Sequence, residues 1–165
     1  MAGLPQALTP SGRARALGRL CLFAAATLVV TGCGGGEPEV ARAALYPNET
    51  PELRRQIVDE ASRNDVPVSL VQRVILRESG HRPRARNGPY YGLMQIHPQT
   101  AATMGHDGPA EALLDPGANL RYGVKYLRGA WLVSGGDADD AVGWYARGYY
   151  YEAKRKGLLE ETGLR

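Results

Sequence analysis

Apolar residues recur at helical spacing along most of the chain, and the residues between the runs mark where helices start and stop. Thr50 is a side-chain cap and Pro51 fills a first turn, where a missing N–H is harmless. Leu53, Ile57, Val58 and Ala61 share one face of that helix, which Asn64-Asp65 ends. A second run, Val66 to Gly80, has Pro67 near its first turn, Val71, Val74 and Ile75 on one face, and Gly80 just past its end. Residues 81–97 are rich in Pro, Gly and Tyr and predict a loop, long for a compact helical domain. Pro98 opens a short helix that stops at Gly105, and Asp115-Pro116 a longer one with Leu120, Val124, Leu127 and Trp131 in register. Asp137 caps a final helix from about Ala138 to Lys156, stopped by Gly157. Alternation is confined to a brief stretch near Leu93 to Ile96. The pattern predicts an all-α domain, or a mainly α one with at most a minimal hairpin near 90–97.

The first third reads differently. Arg13, Arg15 and Arg19 precede an apolar stretch from Leu20 to Val30, too short to span a bilayer comfortably but suited to a secretion signal. It ends Thr31-Gly32-Cys33, which resembles the lipobox of bacterial lipoproteins. That resemblance implies cleavage after residue 32 and acylation of the Cys33 thiol; an uncleaved anchor or an ordinary signal are the alternatives. Gly34-Gly35-Gly36 then begins a flexible tether over 33–49, leaving 50–165 as one domain. Gly34 gives no aspartate after the cysteine, so the periplasmic face of the outer membrane is the expected location.

Removing the signal changes the charge. The chain has 20 Lys+Arg against 17 Asp+Glu, and subtracting the three signal arginines leaves 17 against 17. Nucleic-acid binding loses its support. Cys21 leaves with the signal and Cys33 carries lipid, so the domain has no thiol for a disulfide, a zinc site or a nucleophile. His81, His97 and His106 lack metal-ligand spacing and read as surface or loop residues; no metal and no cofactor is expected.

Glu78 carries the chemistry. It lies seven, four and three residues after Val71, Val74 and Ile75, so it continues their apolar stripe at the negative end of a helix dipole. Desolvation and dipole both raise a carboxyl pKa, as a general acid at neutral pH requires. Pairing with Arg77 or Arg82 is the plain alternative.

Three further segments line up with Glu78-Ser79: Gly92-Leu93-Met94-Gln95-Ile96 before Pro98; Asn119 with Gly123 and Tyr126-Leu127; and Ala141 to Gly148, holding Tyr145. In this order and spacing they resemble the lysozyme-like catalytic domain of the soluble lytic transglycosylases, over roughly residues 50–157. The resemblance implies a monomeric enzyme acting on peptidoglycan glycan strands. Glu78 is then the acid and later the base, producing 1,6-anhydro ends without water, and Tyr145 orients its proton. Gly92 admits a sugar closely, Gln95 offers a donor and an acceptor, and Met94 is either a soft wall or core. Ser79 either bonds substrate or caps its helix. Tyr90, Tyr91 and Tyr122 either line the groove or pack in the core. One departure is Ala146, where the family shows an asparagine after the tyrosine. A hydrolase on the same fold, a non-catalytic peptidoglycan-binding lipoprotein and a helical scaffold are the competing possibilities.

Overall fold

The computed structural model describes residues 43–165; the signal segment, Cys33 and the start of the tether lie outside them. Six α-helices and one two-stranded hairpin make up the described domain. α1 (Pro51–Arg63) starts where the Thr50 hydroxyl accepts from the Leu53 N–H at 3.1 Å. In α2 (Val68–Glu78) Pro67 is the extended residue before the helix rather than part of its first turn. α3 (Pro98–Thr103) is followed by a 3-10 turn, Ala110–Leu114. The Asp115 carboxylate caps α4 (Pro116–Val133), and that of Asp137 caps α5 (Ala138–Arg147). A short α6, Tyr150–Lys156, completes the set.

α4 is the hub: α1, α3, α5, α6 and the 3-10 turn all pack against it. The apolar stripes meet in one core, with Ile57 from α1, Val71, Val74 and Ile75 from α2, and Leu120, Val124 and Leu127 from α4 all out of contact with water. Leu93 and Met94 of the long loop enter the same core.

Four expectations are corrected. The final helix does not run through to Lys156. It breaks at Gly148, whose φ of 84° and ψ of 150° suit glycine alone, and restarts at Tyr150. The break turns Tyr149 inward, where its hydroxyl donates to the Tyr126 carbonyl at 2.8 Å. The hairpin pairs β1 (Arg86–Asn87) with β2 (Tyr90–Tyr91), earlier than the Leu93–Ile96 alternation suggests; only a single bridge, Tyr91 to Ile96, reaches that stretch. The tether does not extend to residue 49. Arg54 grips both Glu49 carboxylate oxygens at 2.6–2.7 Å and donates to the Ala43 and Ala44 carbonyls, fastening 43–49 to the domain as a strap. His81, finally, is not a surface residue. The strap covers it: Tyr46 stacks on its ring at 4.9 Å, and its Nε2 bonds the Gln72 side chain at 2.6 Å.

Candidate active site

Glu78 is the last residue of α2, so its backbone direction is set by a buried helix while its side chain leaves the core at the edge. About a quarter of that side chain (23 %) is exposed. It lines a pocket of about 280 Å³ with Arg77, Asn87, Tyr90, Gln95, Tyr145 and Ala146. A second pocket of about 310 Å³ shares Tyr90, Gln95, Tyr145 and Ala146 with the first and continues past Gln99, Thr100 and Arg147. Together they form one groove across the loop and α5. Among the residues that line one pocket or the other, Glu78 is the only carboxylate, and it belongs to the first.

Burial pushes the Glu78 pKa up, and the Arg77 guanidinium, 3.6 Å away, pulls it down without prevailing. Arg77 is half exposed and water weakens its pull. Arg82 does not pair with Glu78; its Nε donates to the Ser79 carbonyl at 2.8 Å. The carboxyl therefore keeps a proton to higher pH than a free glutamate.

Tyr145 reaches the same pocket from α5. Its hydroxyl donates to the Met94 carbonyl at 2.9 Å, fixing the loop against the helix across 51 residues of chain. Burial first, then the nearby Glu78 and Tyr126, raise its pKa well above the ordinary phenol value. The phenol stays protonated, and with its own proton given to Met94 its oxygen remains an acceptor for an acid's O–H.

Gln95 sits in a left-handed conformation, φ 47°, which non-glycine residues adopt only when their surroundings impose it. Its amide nitrogen donates to the Gly92 carbonyl at 2.8 Å and the Ala85 carbonyl at 3.1 Å. These bonds consume both N–H groups and leave Oε1 buried and without a partner among the described residues, in a side chain that lines the groove.

The remaining predicted residues divide. Tyr90 is exposed and lines both pockets. Met94 is fully buried against Gly123 and is a core residue. At Gly92 the close approach is made by protein: a Cβ there would stand 2.3 Å from the Asn119 amide and 2.4 Å from the Leu113 carbonyl. Ser79 is 2 % exposed, and its hydroxyl turns onto the Ile75 carbonyl at 3.3 Å. Tyr91 is buried, with its hydroxyl accepting from Arg86 at 2.7 Å. Tyr122 lies beside His106 and is not brought to the groove. Among the described residues no group of three His, Cys, Asp or Glu is placed to hold a metal.

Asn119 has a positioning role that the sequence did not disclose. Fully buried on α4, it accepts from the Met94 N–H at 2.8 Å and donates to the Tyr91 and Leu113 carbonyls at 2.7 and 2.8 Å. One amide thus satisfies three backbone groups of a loop with little regular structure of its own. The signal available was the pair Gly92 and Gly123, each of which leaves room for a neighbour and not for a side chain.

No solved structure matches the chain. The family model of the Transglycosylase SLT domain matches residues 56–158, which runs from within α1 to just past α6 and contains the whole groove. The match covers more than half of the sequence, and with the helical fold built around Glu78 it places the chain in the transglycosylase SLT-domain family, the peptidoglycan lytic transglycosylases, which are glycan-cleaving lyases.

Proposed function

We propose that Glu78 alone performs both proton transfers of a non-hydrolytic cleavage between N-acetylmuramic acid and N-acetylglucosamine. The observation that carries this reading is a single carboxylate in the groove, half-buried, with its pKa raised. Most glycosidases need a second carboxylate as nucleophile or base. Asp107, Glu111 and Asp115 are the seconds that the loop and groove segments offer in the sequence, yet none lines the groove. A substrate that supplies its own nucleophile removes the need for one.

In this reading neutral Glu78 gives its proton to the glycosidic oxygen as the bond to the muramic anomeric carbon breaks. The muramic acetamido group stabilises the oxocarbenium charge. Ionised Glu78 then takes the proton of the muramic 6-hydroxyl, whose oxygen closes onto the anomeric carbon. The products are a 1,6-anhydro end and a free 4-hydroxyl. Tyr145 accepts the acid's O–H and orients it, and Gln95 Oε1 accepts from a sugar hydroxyl or acetamido N–H. Tyr90 offers a ring face to a pyranose.

Mass spectrometry of fragments released from purified cell wall tests this. Anhydro ends are expected, lost in Glu78→Gln; reducing ends would instead indicate a hydrolase, and no release a binding protein. We further propose that Cys33 is acylated and anchors the enzyme at the periplasmic face of the outer membrane. Cys33→Ala should accumulate a longer precursor that takes up no labelled fatty acid; normal processing of that variant would remove the anchor.

A further inference from the structure

The hairpin that walls the groove has a second side. Asn87 of β1 lines the Glu78 pocket, while its neighbour Arg86 lines a cavity of about 660 Å³ behind the hairpin, with Arg82, Arg84, His81 and Asn48. Successive strand residues point to opposite faces, so β1 is the partition between the two spaces. The loop that forms this partition, residues 81–97, contains three arginines and no aspartate or glutamate. Seven arginines elsewhere in the domain sit against a carboxylate. Among the described residues Arg82, Arg84 and Arg86 have none; Arg121, Arg128 and Arg147 also lack one, but only the first three gather at one cavity. Arg82 and Arg86 are held by neutral oxygens, the Ser79 carbonyl and the Tyr91 hydroxyl, and the Arg86 guanidinium lies 4.3 Å from the Tyr91 ring centroid. These contacts aim the side chains without neutralising them.

We infer that this cavity seats a carboxylate of the peptide stems carried by the glycan, making it a second contact for the same substrate. The inference rests on the reading that the groove holds a glycan strand. Guanidinium groups are planar forks that match carboxylates, and three unneutralised ones lining a concavity make a seat for an anion. The glycan is largely neutral, whereas its peptide branches carry free carboxylates. The rear wall is rigidly tied to the groove, because Gln95 in the groove donates to the carbonyl of Ala85, which lines the rear cavity.

Arg84 is the residue to test, since it is exposed and no partner among the described residues holds it. Full-length wild type, Arg84→Gln and Arg84→Lys are assayed on peptidoglycan with its stems and on the same glycan stripped of stems by an amidase. Arg84→Gln should raise KM about three- to tenfold on the stem-bearing substrate, as expected for one charge-assisted hydrogen bond. Its kcat there, its activity on stripped glycan and its melting temperature should not change, and Arg84→Lys should recover part of the loss. An equal effect on both substrates, or none on either, overturns the stem site while leaving the cleavage reading intact. Wild type that cleaves neither substrate overturns both. Loss of binding to phosphatidylglycerol vesicles with unchanged KM on peptidoglycan would assign the arginines to a lipid surface and overturn the proposal.

Discussion

Glu49 and Glu78 are both withdrawn from water, with opposite results. The Glu49 side chain is completely covered, yet it is the more acidic of the two. Burial raises its pKa, but hydrogen bonds from Arg54, Gln72 and the Tyr46 N–H more than offset this and hold it at about 2. Glu78 is less covered, has no hydrogen-bond donor among the described residues, and its pKa rises. Burial alone does not decide the charge of a carboxyl; the supply of donors does. Glu49 is supplied with partners that suit a structural charge, and Glu78 is left in the state that the proposed proton donor requires.

The largest expected effect is at Glu78. Glu78→Gln should lower glycan release by about 10²–10⁴-fold, the range for loss of a general acid–base group. It should melt at pH 7 no lower than wild type. With a raised folded pKa, the stability from this site is full below the unfolded pKa and is lost as pH rises through the folded one. The amide removes that loss. Cleavage by wild type should likewise decline as pH rises through the same value, and a variant that melts early would put Glu78 in the class of Glu49.

Glu49→Gln should reverse the pattern. It removes the carboxylate that Arg54 grips and breaks a buried ion pair, a cost of about 3–5 kcal/mol in melting experiments, while cleavage per folded molecule is kept. The Glu49 pKa is lowered, so its stabilisation is present above the unfolded pKa and fades as pH falls towards about 2. The gap in melting temperature between wild type and variant should therefore close over that acid range. A constant gap would mean that the ion pair is not its source.

Tyr145 combines a packing role, its bond to the Met94 carbonyl, with the proposed chemical one. Tyr145→Phe leaves the Met94 carbonyl unpaired, at about 1–3 kcal/mol of stability. Loss of a hydrogen bond made in the transition state should take a further two to three decades from turnover, about 2–4 kcal/mol. A fall in stability with turnover intact would make the hydroxyl a loop fastener only. The smallest effect belongs to Ser79. Its hydroxyl bond to Ile75 is long and faces inward, so Ser79→Ala should change stability by under about 1 kcal/mol and cleavage not at all.

The helix starts were legible because Thr50, Asp115 and Asp137 act through neighbours three residues away. Glu78 and Tyr145 were legible for a related reason, one continuing an apolar stripe and the other lying in a recognisable motif. What the sequence concealed depends on distant partners. Helical spacing carries on past Gly148, and the break becomes necessary only with Tyr149 packed against Gly129, where a Cβ would stand 2.1 Å from the hydroxyl. Glu49 falls in the stretch read as a flexible tether; its partners come from Arg54 and from Gln72, 23 residues on. The left-handed Gln95 and the buried Asn119 are products of the same long-range closure.

The Asn119 amide and the Tyr145 hydroxyl also bear on the order of folding. The loop at 91–94 borrows its hydrogen bonds from residues 25 to 51 positions further along the chain. Such contacts come late, because the entropy of closing the intervening chain is lost before any of them forms. α1 and α2 are neighbours in sequence and pack on each other, so they can associate while the loop is still unstructured. A chain ending before Asn119 would retain the helix that bears Glu78 and have no groove to set it in. The Glu78 carboxyl sits on helices that can associate early, and the wall that faces it is completed only by late contacts.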